Sequence, residues 1–457
     1  MPSLELTDFN IVCSILGLFI TAYGLISYVI KERFYLSDAL VSFLAGVLLG
    51  PALNIFSPLG VAQGDPENIA SITYYFSRLV LGVQLIIAGI QLPKRYLLHE
   101  WKALAVLLLP GLTAMWLCSS LLIWLLVPDL PFLHALAIGA CVSPTDPVLS
   151  SSIVKGGFAD KNVPVALQRI IMAESGANDG LGYPFLFLPL FLMRYAGSNQ
   201  QVSDGVLRAL ERWLGETWMY VIFLSILYGA LVGFIAKELL RQAEARHYVD
   251  KESFTVFAIS LALLVMGTCG LIDSDDILAC FIAGNAFTFD DWFRIRTMED
   301  TLQPTIDLVL NMAMFIWLGI VCPWSSFIDG SVVPVWRLFL LGILVLLLRR
   351  LPAIYLMRRL IPQITGSRDA LFMGFFGPIG VSAIFYCCLG VEFLRSFAEE
   401  NPAAKKLQET MVVVVWFLVT TSIIVHGLCI PFAMSGKFLT RSVQRTLSRM
   451  NSQPLRI

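Results

Sequence analysis

Asn178 and Asp179 are adjacent polar residues midway along an apolar stretch, residues 165–193. At bilayer depth an ionised carboxylate costs about 2.5–3.5 kcal/mol on the insertion scale, so it is rarely found there without a function. Carboxylate oxygens bind either a proton or a hard cation such as Na⁺, and the two compete for the same atoms. We therefore predict that Asp179 is a cation ligand and proton carrier. The alternative is a structural acid that is paired across helices.

Asn178 carries no charge, and its side chain is predicted to hydrogen-bond Asp179 or a neighbouring backbone carbonyl. If Asp179 alone handles the transported ions, the exchange of one Na⁺ for one H⁺ is electrically neutral. The pair therefore favours an electroneutral exchange.

Glu174 lies one helical turn before Asn178, and Arg349 and Arg350 place two cations inside an apolar run. An unpaired arginine at that depth is costly, so we predict an ion pair between Glu174 and Arg350 that orients the sixth and eleventh apolar segments. The alternative for Arg349 is that it ends its segment at the inner face, and the sequence alone does not separate the two arginines.

Two apolar segments, the fifth and the twelfth, contain helix breakers near their middle. These breakers are Pro144 and Pro147, which bracket Thr145 and Asp146, and then Gly377, Pro378 and Gly380. Proline removes an amide donor and frees a carbonyl, which lipid tolerates only beside protein or a water-filled cavity. We expect Asp146 to offset the positive ends of the half-helices, and the Thr145 hydroxyl and the freed carbonyls to contact the ion. The alternative for Asp146 is an N-capping acid in a proline-kinked helix.

Asp275 and Asp276 begin the ninth apolar segment. They are candidate vestibule acids that attract cations. The alternative is that they cap a helix, since acids are common at helix starts.

The composition describes a membrane protein. Of its 457 residues 57% are hydrophobic and 14% are charged, whereas a soluble domain carries about 25% charged residues. The net charge of −1 argues against a nucleic-acid partner. Nucleotide and zinc motifs are absent, so we expect no cofactor beyond the transported Na⁺, Li⁺ or K⁺ and H⁺.

The elements that position these residues are all predicted to be helices, with short connections and no separate soluble domain. Thirteen apolar segments can be drawn, at about 10–30, 36–56, 71–92, 103–127, 132–154, 165–193, 216–237, 253–272, 276–289, 304–322, 335–360, 370–391 and 410–434. The two broken segments are seven apart, which fits two inverted six-helix halves, because an odd offset reverses the direction of the chain.

The distribution of Lys and Arg predicts the orientation. Most of them fall in the inner loops and in the basic tail, residues 436–457, if the amino terminus is outside. Because cytoplasmic loops carry the excess of basic residues, the carboxyl terminus is predicted to be cytoplasmic. The tail is then expected to lie against anionic lipids.

At these motifs the chain resembles the fungal plasma-membrane sodium(potassium)/proton antiporters of the cation/proton antiporter superfamily. The matching strings are LPKRYLLHEW, SPTDPVLSSSIV, AESGANDGLGYPFLFLPL, DDILACFIAGNAF, LRRLPAIYLMRRLIP and FFGPIGVSAIF. The resemblance implies a homodimer of thirteen-helix subunits, with the antiporter unit in residues 1–435. Its moving core would include about 103–195 and 335–434, and its dimerisation scaffold about 10–92 and 216–322.

By the same resemblance Asp179 is the ion-binding carboxylate, Asn178 marks the electroneutral branch, and Glu174 with Arg350 is the stabilising ion pair. The function implied is the export of cytosolic Na⁺, Li⁺ and K⁺ in exchange for external H⁺, by an elevator movement, for salt tolerance. Many fungal relatives carry a long hydrophilic tail, so the chain is either a short-tailed member or part of a longer one.

Three other functions stay open at this point. One is an endosomal or vacuolar exchanger of the same fold, and a second is a passive cation channel. The third is an intramembrane aspartyl protease, whose expected Gly-x-Gly-Asp string is missing.

Overall fold

A computed structural model describes residues 7–62, 64–147, 149–150, 163–196, 202–399 and 401–451. These residues are helical with connecting turns, and no strand occurs among them. Nine of the helices in this part of the chain are long and apolar enough to cross a membrane. The predicted all-helical membrane fold is therefore confirmed.

Fourteen helices are labelled here in chain order. They are α1 (Asn10–Arg33), α2 (Asp38–Ala52), α3 (Pro66–Gln91), α4 (Trp101–Leu126), α5 (Phe132–Cys141), α6 (Val165–Ala196), α7 (Asp204–Ala245), α8 (Lys251–Leu271), α9 (Asp276–Phe287), α10 (Leu302–Val321), α11 (Val335–Leu360), α12 (Ser367–Phe375), α13 (Val381–Ala398) and α14 (Pro402–Asn451). Each predicted apolar segment coincides with one of them, and the twelfth comprises both α12 and α13.

The fifth and twelfth segments are interrupted where the breakers lie. Helix α5 ends at Cys141, the backbone is irregular through Asp146, and helical structure resumes at Pro147. The end of the fifth predicted segment, 151–154, lies outside the described residues. The chain between Phe375 and Val381 is also non-helical.

The two interruptions touch each other, because the Asp146 N–H donates a 3.0 Å hydrogen bond to the Pro378 carbonyl. A Cβ atom at Gly380 would overlap the Asp146 carboxylate, and one at Gly377 would overlap the Arg350 side chain. Glycine at these two positions therefore permits the close crossing.

A third irregularity positions the two arginines of α11. Pro352 has no N–H, so the Leu348 carbonyl loses its helical donor, and the Cys118 thiol lies 3.2 Å from that carbonyl. The helix stops at Leu348 and restarts at Leu351. Arg349 and Arg350 lie in the gap, and both are buried.

The described structure reaches only part of the predicted basic tail. Helix α14 extends to Asn451. Residues 452–457 lie outside the described residues, and so do the side chains from 433 onward. The contact of the tail with anionic lipid therefore stays a prediction.

Candidate cation-binding site

Helix α6 places Asp179 in the interior, where its side chain is fully buried. Neither carboxylate oxygen has a hydrogen-bond partner among the described residues. The groups that act on it electrostatically are the acids Asp146 and Asp275 and the hydroxyl of Ser382. Burying an unpaired carboxylate among other acids is costly, and a bound cation or a proton removes that cost.

Asn178 does not hydrogen-bond Asp179, so that part of the sequence prediction was wrong. Its Oδ1 accepts from the Thr145 N–H at 3.1 Å, and its Nδ2 donates to Thr145 Oγ1 at 2.9 Å. Neighbours in a helix project in different directions, so residues i and i+1 do not face each other. Asn178 therefore connects α6 to the break after α5.

Thr145 extends this connection. Its hydroxyl lies 2.9 Å from Ser175 Oγ, which lies 3.3 Å from Ser150 Oγ. All of these groups are buried. The hydroxyl that was predicted to contact the ion is thus engaged by Asn178 and Ser175, and Thr145 holds Asn178 beside the carboxylate.

Asp146 caps the second halves of both broken helices at their amino-terminal ends. Its Oδ1 accepts from the Leu149 N–H at 3.1 Å, and its Oδ2 accepts from the Val381 N–H. The first four N–H groups of a helix lack internal partners and carry partial positive charge, so a carboxylate there satisfies both needs. Both interpretations offered by the sequence, dipole compensation and N-capping, describe this one geometry.

Arg349 lies at the carbonyl ends of the first halves of the two broken helices, whereas Asp146 lies at the amino ends of the second halves. Its guanidinium donates to the carbonyls of Val142 and Gly377, and it lies 3.4 Å from those of Ser143 and Pro144. These carbonyls end the first halves of the two broken helices, where the partial charge is negative. This contact was not predicted from the sequence, and the signal available was the occurrence of two adjacent arginines in one apolar run.

Arg350 is the arginine that contacts Glu174. The two nitrogens Nη1 and Nη2 donate to the two carboxylate oxygens at 2.6 and 2.7 Å, and both side chains are buried. Its Nε also donates to the Met373 carbonyl at 3.0 Å. This bidentate pair therefore joins α6, α11 and α12.

Tyr386, on α13, is a site residue that was not predicted from the sequence. Pro184 lacks an N–H, so the Gly180 carbonyl has no helical donor. The Tyr386 hydroxyl lies 3.1 Å from that carbonyl and donates to the Asp179 carbonyl. The signal available in the sequence was a proline five residues after the central acid, inside a long helix.

Asp275 and Asp276 are both buried at the start of α9. Asp275 is the N-cap of α9 and accepts from the Leu278 N–H at 3.0 Å, which agrees with the alternative prediction that these acids cap a helix. Asp276 pairs with Arg78 at 2.8 Å, a cation in the third apolar segment whose role was not predicted from the sequence. Neither acid reaches an open surface here, so a vestibule role would require another conformation.

Comparison with known protein families matches residues 15–436 to a family described as "Sodium/hydrogen exchanger, transmembrane". The chain belongs to the sodium/hydrogen exchanger family. The family is one of transmembrane exchangers, which are transporters and not enzymes.

Two curated relatives and one solved structure support the assignment. The chain is 36% identical over 450 residues to "Na(+)/H(+) antiporter 2" of Zygosaccharomyces rouxii, a match that covers 96% of the chain and 54% of the relative. It is 30% identical to a "Na(+)/H(+) antiporter" of Schizosaccharomyces pombe, a match that covers 98% of the chain and 95% of that relative. The sodium proton antiporter structure from Methanocaldococcus jannaschii shares the fold, with a TM-score of 0.66 at 18% identity over 93% of the chain and 98% of that structure. The chain spans about half the length of the first of these relatives.

The site of this exchanger-family chain suits an alkali cation better than a tightly held transition metal. Among the described residues no group of three His, Cys, Asp or Glu side chains could hold a metal ion. What the crossing offers instead is one carboxylate without a hydrogen-bond partner, and carboxylate oxygens are hard ligands. Such a site can bind and release a weakly held cation or a proton.

Proposed function

We propose that the chain is a secondary-active antiporter that exports cytosolic Na⁺, and also Li⁺ and K⁺, in exchange for external H⁺. The observation that carries the proposal is the buried Asp179 carboxylate, which has no hydrogen-bond partner among the described residues. The names of the relatives support the choice of Na⁺ and H⁺.

Electroneutral exchange is part of the proposal. Asn178 is uncharged, and both the oxygen and the nitrogen of its side-chain amide hydrogen-bond Thr145. Asp146 holds the N–H groups of the two half-helices. One carboxylate, Asp179, is then left to carry either one Na⁺ or one H⁺, so a full cycle moves no net charge.

We further propose that a core of about residues 103–195 and 335–434 moves against a scaffold of about 10–92 and 216–322. Within the core, buried charged contacts such as Glu174–Arg350 hold the helices together. Where α3 of the scaffold meets α13 of the core, the contacts that stand out are aromatic or solvent-exposed. They include a stack of Tyr74 on Phe385 at 5.3 Å and the exposed pair Glu67–Arg395. A cavity of about 440 Å³ also lies between the two helices.

The scaffold would also form a homodimer. The most apolar windows of α1 and α7 are only 11% and 28% buried within the chain. Apolar helix faces that find no partner in their own chain are available to lipid or to a second copy. Cross-linking of the protein in native membranes tests this assignment.

The location proposed is the plasma membrane, with the amino terminus outside and the carboxyl terminus in the cytoplasm. Export at that membrane would give salt tolerance. The second candidate is an endosomal or vacuolar exchanger of the same fold, and imaging of a tagged protein in cells separates the two.

The exchange is tested in proteoliposomes that contain a pH-sensitive dye. Addition of Na⁺ to one side should move protons in the opposite direction, and Li⁺, K⁺ and Rb⁺ at several pH values define the selectivity. Asp179→Asn should abolish the response, because an amide neither releases a proton nor offers a charged ligand. The matched control is Asp250→Asn, which changes an exposed N-cap outside the site. Normal exchange by the Asp179 variant would refute its role, and current without proton movement would indicate a channel.

A further inference from the structure

The non-helical segment 376–380 between α12 and α13 is held from one side by α14. His426 Nε2 lies 3.1 Å from the Phe375 carbonyl, and the Ile379 N–H donates to Ser422 Oγ at 2.7 Å. In an unbroken helix these two backbone groups would bond to each other. Two residues one turn apart on α14 therefore replace the hydrogen bond that the break removes.

The hydrogen-bond pattern assigns the tautomer of His426. With the proton on Nε2, the imidazole donates to the Phe375 carbonyl, and Nδ1 accepts from the Ser422 hydroxyl at 3.1 Å. With the proton on Nδ1 the ring would donate to the Ser422 carbonyl, at 3.0 Å, but Nε2 would then face the Phe375 oxygen with a lone pair. A proton on both nitrogens would add a second cation near Arg349. The neutral Nε2–H form serves both the Phe375 carbonyl and the Ser422 hydroxyl, and it leaves only the Ser422 carbonyl, within α14 itself, without a donor from the ring.

The other side of the same segment contacts the ion site. The Pro378 carbonyl accepts from the Asp146 N–H, and the Val381 N–H donates to the Asp146 carboxylate. Thr145, the residue before Asp146, holds Asn178 through two hydrogen bonds. A displacement of the segment therefore passes through Asp146 and Thr145 to Asn178, which is next to Asp179.

We propose that His426, acting with Ser422, is a positioning residue that sets the cation affinity of the site. The neutral imidazole and the hydroxyl clamp both ends of the break, so that the backbone of α13 meets Asp146 in one fixed arrangement. Neither side chain hydrogen-bonds the Asp179 carboxylate. This inference rests on the exchange activity proposed above.

The test compares variants of the full chain in proteoliposomes. His426→Phe removes both ring nitrogens but keeps a ring beside Phe375 and Phe376, whose centroids lie 5.4 and 6.3 Å from that of the imidazole. His426→Gln keeps an amide donor that can reach the Phe375 carbonyl. Ser422→Ala removes the acceptor for Ile379. The control is Thr410→Val, because the one partner that the Thr410 hydroxyl has among the described residues is the Lys406 carbonyl of its own helix.

The KM for Na⁺ is expected to rise about tenfold in His426→Phe and in Ser422→Ala, on the scale of one lost hydrogen bond to a buried group. His426→Gln should return the KM to within about threefold of the wild type, since its donor replaces Nε2–H. The control should keep the wild-type KM.

Two results would overturn the proposal while leaving the exchange activity intact. One is an unchanged KM in His426→Phe together with a lower maximal rate, which is what a purely structural role predicts. The other is a His426→Gln variant with a KM as high as that of His426→Phe. Absence of exchange in the wild-type protein would instead refute the proposed function itself.

Discussion

Two arginines that are adjacent in the sequence act on different parts of the crossing. Arg349 meets the carbonyl ends of both broken helices, and Arg350 meets the Glu174 carboxylate. Residues next to each other in a regular helix project about 100° apart, and the gap at Pro352 turns both into the core. The role of each buried arginine is therefore determined by the groups that surround it, and not by its residue type.

Loss of one partner of the Glu174–Arg350 pair should be strongly destabilising. Arg350→Ala leaves Glu174 as an uncompensated buried charge, which costs about 3–5 kcal/mol. Replacing both residues by Met should recover much of that loss, because the desolvation of both charges disappears as well. Thermal unfolding in detergent measures both effects. The control is Arg359→Ala, an exposed arginine of the same helix, and an equal loss of stability in the control would contradict the prediction.

A partly buried carboxylate in a loop gives a pH prediction. Asp291, in the turn after α9, accepts two hydrogen bonds of 2.7 Å from Arg294, and these bonds lower the pKa of Asp291. A carboxyl whose pKa falls on folding stabilises the fold above its unfolded pKa of about 3.9. That stabilisation is lost as the pH falls through the lower, folded pKa.

Asp291→Asn should therefore unfold at a lower temperature than the wild type at pH 7, and the two melting temperatures should converge as the pH falls below about 3.9. The backbone at this position has φ 70, a conformation that asparagine also adopts readily, so the variant tests the charge and not the turn. A difference that stays constant from pH 7 to the acid limit would disprove the assignment.

At the scale of elements, the prolines of broken and bent helices determine which side chains are recruited. At two of these prolines a side chain from another helix donates to the freed carbonyl: the Tyr386 hydroxyl to Gly180 at Pro184, and the Cys118 thiol to Leu348 at Pro352. Helix α6 therefore depends on α13 for the backbone around its central acid.

This dependence predicts a coupling between Tyr386 and Pro184. Tyr386→Phe removes the donor to a buried carbonyl and should cost about 1–3 kcal/mol. In the Pro184→Ala background the helix regains its own N–H donor for the Gly180 carbonyl, so the same substitution should cost clearly less. A double-mutant cycle on unfolding free energies, with the Na⁺ KM as a second readout, measures the coupling. Strict additivity of the two substitutions would contradict it.

At the scale of the whole molecule, the proposed elevator movement requires α13 to shift against α3. Glu67 of α3 and Arg395 of α13 lie 3.6 Å apart at exposed positions. A short bifunctional thiol reagent that joins Cys residues introduced at both positions should stop exchange, and cleavage of the linker should restore it.

The matched control joins two positions on α13 alone, Glu392 and Arg395, whose side chains lie 3.3 Å apart. This cross-link constrains one helix and should leave exchange unchanged, and the native cysteines react equally in both variants. Full activity of the α3–α13 cross-linked protein would refute the relative movement of the core and the scaffold.

The sequence by itself determined the helices and most of the polar residues at the crossing. Apolar runs of membrane length specify helices, because a backbone in lipid must satisfy its own polar groups, and prolines and glycines locate the breaks. Asp179, Asp146 and Glu174 were recognisable because charges are rare and expensive in such runs.

Only the tertiary structure decided which groups meet. It paired Arg350 with Glu174, turned Asn178 to Thr145, and brought Tyr386 to the carbonyls of Asp179 and Gly180. These contacts join residues that are 33 to 207 positions apart. A sequence pattern shows how residues are spaced along one helix and how costly it is to place each of them in lipid. The partner of a residue across the crossing depends instead on how the helices pack.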